Sequence, residues 1–298
     1  MLKLRLVLLL FLLVAFLVIN LLVLRKQNEK QENFQSSLAE NKPLKLDCVL
    51  GAVNTNPKYL DFIPLFLKSW NKFYPETDVK IILIADKIPE EYQNYQDNII
   101  LYRSPNPKIS TAFISQFIRL LYPGLLDYQN GVMITDIDNI PLNNKFFKDN
   151  LRGLNTSQWV NLRDWTDKNQ ICMMWQIATP KLWRDVFQVE NVKEIDRIIE
   201  EVNNKIEYTD GATDKNWFTD QLYLYDKVMA WNQKTNKYLY LKDKDTGFNR
   251  LDRFTFEEID PKLKKELVNG EYSDYHALRP PKQYQKINNE IVDLVSRK

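Results

Sequence analysis

Glycine is scarce in this chain, with 7 in 298 residues, and neither G-x-G-x-x-G nor G-x-x-x-x-G-K-[ST] occurs. That argues against a glycine-cradled dinucleotide site and against a P-loop, so any phosphate is held another way. Cysteine is scarcer. Cys48 and Cys172 sit among apolar residues without metal-type spacing; they read as buried thiols, with one disulfide left open. An excess charge of one sign is also missing. With 41 basic and 39 acidic residues the net charge is +2, and no basic field points to nucleic acid. Internal repeats are absent as well. What the chain has in quantity is apolar material, 44% of its residues, ample for the core of one large domain.

Part of that material is concentrated at the start. Leu6 to Leu24 is 19 residues without a charge, Asn20 being the one strongly polar position. This nearly matches the roughly 20 residues a helix needs to cross a bilayer. Signal-peptide cores are shorter and end at a small-residue cleavage site, so residues 1–24 read as an uncleaved membrane anchor. Lys3 and Arg5 precede the span while Arg25, Lys26 and Lys30 follow it, and charge counting leaves the orientation open. Residues 25–44, rich in Gln, Asn, Glu and Lys, read as a stem, and residues 45–298 as one catalytic domain.

In that domain, apolar runs bounded by turn formers alternate with helical periodicity. Strands are expected over 45–53, 79–85 and 99–102, with helices through Phe62, Leu65, Phe66 and Trp70 and from Ser110 or Thr111 to Leu121. Such alternation implies an α/β fold with a mainly parallel sheet flanked by helices, whose ligands sit at the carboxyl ends of the strands. The organising stretch is Gly131-Val132-Met133-Ile134-Thr135-Asp136-Ile137-Asp138, an apolar run that stops on two acids. A strand's period of two sends Asp136 and Asp138 to one face, where they repel unless a cation intervenes; oxygen ligands of this kind suit Mn²⁺ or Mg²⁺. By itself D-x-D also fits a plain acidic turn. Repulsion between the acids further predicts that replacing either with Asn leaves stability unchanged or raises it. Downstream, strands are expected over 158–162 and 171–177, helices over 180–187 and 192–203, and an aromatic-rich segment over 214–231; the tail from Leu239 is polar and Lys-rich.

Several separated blocks resemble the metal-dependent GT-A glycosyltransferases, especially the glycogenin and bacterial galactosyltransferase-like group. V-M-I-T-D-I-D-N-I-P-L is similar to that family's D-x-D block, and Arg119 followed by Leu-Leu-Tyr-Pro to its Arg-bearing helix. Thr219-Asp220-Gln221-Leu222 resembles the D-Q block near the reacting sugar. His276 with Lys282 six residues later resembles H-x-x-G-x-x-K, although Arg279 stands where that block has glycine. The resemblance implies a GT-A, Rossmann-like nucleotide-diphospho-sugar transferase domain. It implies Asp136, Asp138 and His276 as metal ligands, Asn54, Tyr59, Asp86, Arg119 and Lys282 as donor-binding residues, and Asp220 and Gln221 as catalytic residues. It further implies Mn²⁺ or Mg²⁺ as cofactor, a UDP-sugar donor, a glycan, protein or lipid hydroxyl as acceptor, and retention at the anomeric carbon. With the anchor, the expectation is a single-pass type II protein facing the Golgi or ER lumen, a cytoplasm-facing orientation staying open. Trp159, Trp165, Trp175, Trp217 and Trp231 are candidate sugar platforms, core packing being the commoner role.

Two other functions fit a D-x-D. A haloacid dehalogenase-type phosphohydrolase also opens on an apolar strand and D-x-D, but here Asn139-Ile140 follows and the motif comes late in the chain. A tethered, catalytically inactive GT-A binding protein would account for the altered block at Arg279.

Overall fold

Alternate residues of the strand Leu46–Asn54 (β1) enter two different cores, as a period of two requires of a strand covered on both faces. Val49 and Val53 share one packed cluster with Ile81, Leu83, Met133, Phe66 and Trp70. Cys48 and Leu50 share the other with Ile82, Ile84, Val132, Phe113 and Phe117. These observations come from a computed structural model that describes residues 42–206, 208 and 215–296. A compact unit spans Pro43–Lys298, with Leu44 already buried and its N–H bonded to Leu154 O. The expected anchor, 1–24, and most of the stem lie outside the described residues. Among the described residues no helix is long and apolar enough to cross a membrane.

The chain continues through helix α1 (Ile63–Phe73), β2 (Asp78–Ile84), β3 (Ile99–Tyr102), α2 (Thr111–Leu121) and β4 (Gly131–Ile134). Ser110 caps α2, its hydroxyl accepting the Ala112 N–H at 3.3 Å. The four strands pair in parallel in the order β3-β2-β1-β4. Gly131 begins β4 because nothing larger fits: a Cβ there would lie 2.8 Å from Lys45 O and 2.9 Å from a methyl of Ile177.

β4 ends at Ile134, two residues before the acids, so Asp136 and Asp138 do not lie on a strand as the alternation suggested. They stand in a link of four residues, 135–138, after which Asn139–Pro141 (β5) enters a second sheet. The large sheet goes on through β6 (Trp159–Asn161) and β7 (Gln176–Ala178) to β8 (Tyr238–Tyr240), with β7 antiparallel to both β4 and β6. The strand expected over 171–177 is thus confined to its last residues. Trp175 holds φ at 65°, a left-handed conformation costly for a bulky side chain, and breaks the strand there. Helices α3 (Pro180–Phe187) and α4 (Val192–Asn203) occupy their expected spans, and α5 (Thr219–Thr235) fills most of the aromatic-rich segment.

The tail, read as polar, holds two strands. β9 (Arg250–Asp252) and β10 (Asp274–His276) join β5 in a three-stranded sheet ordered β5-β10-β9, with α6 (Pro261–Asn269) between them and α7 (Gln285–Leu294) after them. In its register His276 stands opposite both Asn139 and Asp252, and Ala277 N–H bonds Asp138 O at 2.9 Å. This small sheet carries the far end of the chain to the acid pair.

Candidate active site

One cavity lies at the carboxyl ends of β1 and β4, between α2 and the small sheet. Of the ten residues singled out in the sequence, eight line it: Asn54, Tyr59, Arg119, Asp136, Asp138, Asp220, Gln221 and His276. Asp86 and Lys282 do not. Asp86 is exposed, and its carbonyl accepts from Arg103 Nε at 2.9 Å. Lys282 turns outward to a different groove, its ammonium 3.3 Å from the Asp61 carboxylate and 3.4 Å from Glu91.

The two acids do not confront each other unaided, because each has its own guanidinium. Arg119, buried on α2, donates to Asp136 and, at 3.1 Å, to Thr135 O; its Nη2 also lies 3.8 Å from Asp220 Oδ2. Burial works against the arginine's charge, and Asp136 and Asp220 more than offset that. Asp138 receives Arg253, the residue that follows β9, in an ion pair buried on both sides. Burial alone would raise the Asp138 carboxyl, but the hydrogen bond from His276 and the charge of Arg253 hold it well below the usual carboxylate range. The expectation that Asn at these positions would relieve repulsion is therefore overturned: the carboxylates are compensated, and neutralising Asp138 strands Arg253.

His276 presents Nε2 to Asp138 Oδ2 at 3.6 Å while Nδ1 lies 3.2 Å from Asp252 Oδ2. A carboxylate on one ring nitrogen fixes the imidazole and leaves the other aimed at the acid pair, the usual arrangement behind a metal-binding histidine. Among the described residues no group of three or more His, Cys, Asp or Glu side chains is spaced to hold a metal ion as it stands. The set Asp136, Asp138 and His276 is open on the cavity side, where Asp136 keeps 42% of its side-chain exposure. As a donor set, two carboxylates and an imidazole are of the type compatible with Mn²⁺ or Mg²⁺.

Across the cavity, Asp220 stands in the first turn of α5 and is pushed up to about 7 by burial, against the lowering effect of Arg119. Gln221 beside it accepts from Thr166 Oγ1 and Gln170 Nε2, both at 3.0 Å, so its amide is fixed in place. Asn54 is tied to Thr111 Oγ1 at 3.1 Å and accepts the Asn56 N–H at 3.1 Å. Of the five candidate tryptophans only Trp217 lines the cavity; Trp159 and Trp175 are core. Both cysteines are thiols, Cys48 pushed up to about 12 by burial and Cys172 on the cavity wall.

Sequence reasoning missed Asp252 and Arg253, and it treated Arg279 as a defect. Strands of three residues flanked by charges give no periodic signal, although Arg250-Leu251-Asp252 and Asp274-Tyr275-His276 do alternate polar with apolar.

The fold of the chain aligns with those of solved glycosyltransferases. A galactosyltransferase, LgtC, crystallised with donor and acceptor sugar analogues, aligns over 84% of this chain and 97% of its own at 14% identity, with a TM-score of 0.44. The glycosyltransferase GlyE of Streptococcus pneumoniae TIGR4 aligns over 84% of this chain and 60% of its own, also at 14% identity, with a TM-score of 0.47. The bifunctional glycosyltransferase WbbM aligns over 86% of this chain and 50% of its own at 12% identity, with a TM-score of 0.39. No family profile and no curated protein sequence matches the chain.

Proposed function

We propose that this chain is a glycosyltransferase that moves a sugar from a nucleoside diphosphate donor to a hydroxyl, with a divalent cation at Asp136, Asp138 and His276. The observation that carries the reading is the placement of His276, the one histidine of the chain, against Asp138 across 138 positions of sequence. Asp252 orients the imidazole, and Arg119 and Arg253 fix the two carboxylates, so the ligand set is held from behind. When bound, Mn²⁺ or Mg²⁺ supplies positive charge where the departing diphosphate accumulates negative charge.

The remaining work falls to the chain's own groups. Asn54 and Tyr59, at the end of β1 and the turn after it, bound the nucleoside side of the cavity. Asp220 and Gln221 face the acid pair and orient the acceptor hydroxyl or steady the charge that develops on the sugar. Within this reading the donor is a UDP-sugar and transfer retains anomeric configuration, as the family resemblance implies. Residues 1–24 tether the domain to a membrane as a type II protein, the domain facing the Golgi or ER lumen.

The test needs no acceptor. The protein is incubated with Mn²⁺ and a panel of nucleotide sugars, and free nucleotide from slow donor hydrolysis is measured. One donor should be hydrolysed well above background, and Asp136→Asn and Asp138→Asn should abolish the signal. Release of phosphate from small phosphoesters, with no nucleotide sugar consumed, would replace this reading with the phosphohydrolase.

A further inference from the structure

We propose that Arg279, and not Lys282, is the side chain that grips the diphosphate of the donor. The inference rests on the donor-site reading above and assigns a residue within it. Among the described residues two arginines, Arg119 and Arg279, and no lysine line the cavity. Arg119 is 6% exposed and already spans Asp136, Thr135 O and Asp220. Arg279 keeps 31% of its side-chain surface open. Its Nη1 donates to the Tyr59 hydroxyl at 2.7 Å and lies 3.8 Å from Asp138 Oδ2, and its guanidinium carbon sits 5.4 Å from the centre of the Tyr59 ring. Hydroxyl, ring and carboxylate thus hold the planar fork at the wall next to the acid pair, where the phosphates of a donor bound through Asp136 and Asp138 must pass. A guanidinium so held can meet two phosphate oxygens in parallel, which an ammonium cannot.

Lys282 is differently employed. It bridges Asp61 and Glu91 on the outer groove, lined also by Pro64, Leu65 and Tyr95, and would have to leave both carboxylates to reach the cavity. Tyr59 then acts as the buttress of Arg279, its hydroxyl setting the direction of the fork.

The experiment is calorimetric titration of the full-length protein, in detergent and with Mn²⁺, with UDP, GDP, ADP, CDP and dTDP, each beside its nucleoside. For the diphosphate that binds, Arg279→Ala should weaken affinity about 10- to 100-fold, the range of a lost charge-assisted pair of hydrogen bonds. Arg279→Lys should recover only part of this, and Tyr59→Phe should fall between Arg279→Lys and wild type. Lys282→Ala should stay within about twofold of wild type, and affinity for the bare nucleoside should not change in Arg279→Ala, Arg279→Lys or Lys282→Ala. The circular dichroism of each variant serves as the folding control. Undiminished diphosphate affinity in folded Arg279→Ala, or a Lys282→Ala loss equal to or greater than that of Arg279→Ala, would overturn the assignment while leaving the donor-site reading intact. A wild-type protein that binds none of the diphosphates overturns both.

Discussion

Arg253 donates into the Asp138 carboxylate with both side chains at most 8% exposed, so the two opposite charges offset each other inside the protein. Removing one partner of a buried pair costs about 3–5 kcal/mol, because the charge left behind stays buried. Asp138→Asn and Arg253→Met should each lower unfolding free energy by an amount of that order, and the double variant by less than the sum. Asp136→Asn should cost below about 1 kcal/mol, since that carboxylate is partly solvated and Arg119 keeps Asp220 and Thr135 O. The sign with pH follows from the lowered Asp138 carboxyl: its contribution is complete above 3.8, its ordinary value, and is lost as pH falls through the lower folded value. Denaturant titrations at pH 7, with metal removed by chelation, test the ranking.

His276→Ala should raise the Mn²⁺ concentration that gives half-maximal donor hydrolysis, and excess Mn²⁺ should restore part of the rate by mass action. Asp252→Asn should act in the same direction, about 10-fold or more, because it loosens the ring without removing a ligand. Metal titrations of the two variants measure this. Unchanged metal dependence in both would take His276 out of the site.

Asp220 gives a pH dependence of opposite sense. Its folded carboxyl, pushed up to about 7 by burial, binds a proton that the unfolded chain has released, so wild-type stability declines as pH rises from about 4 to 7. Asp220→Asn removes that slope. The variant should gain on wild type by about 1–4 kcal/mol between pH 4 and pH 8, as read from unfolding curves at each pH, while losing donor hydrolysis.

A chain starting at Pro43 should be folded and should stay in solution after membranes are removed, since the compact unit begins there and Leu44 is its first buried residue. The full chain should sediment with membranes and resist a salt wash. Sedimentation of both forms decides whether Leu6 to Leu24 anchors the protein.

The parallel half of the large sheet was legible because its strands are long or apolar and its helices are capped and periodic. Leu46–Asn54 and Thr111–Leu121 fall within one or two residues of their expected places. Arg119 was found by resemblance, but its burial against Asp136, Thr135 O and Asp220 is what makes its role physical. The tail was illegible. Asp252 and Arg253 stand at the end of a three-residue strand paired with β10, and Arg253 meets Asp138, 115 positions earlier, because β10 also pairs with β5; no local pattern records such a pairing. Lys282 was misplaced for a related reason: a six-residue spacing fixes distance along the chain but not which wall of the protein a side chain reaches.

The pairing of β5 with β10 sets an order of events as well as a geometry. Asp136 and Asp138 leave the ribosome well before Arg253 and His276, and the parallel strands before them complete their own ladder without the tail. Until residues 250–276 are made and threaded beside Asn139–Pro141, Asp138 has neither its guanidinium nor its imidazole. A growing chain therefore carries an uncompensated acid beyond the end of β4 for about half its synthesis, and the cluster around Asp138 is completed in one late step. Chains interrupted before His276 would be folded in part and would lack the assembled acid, guanidinium and imidazole cluster.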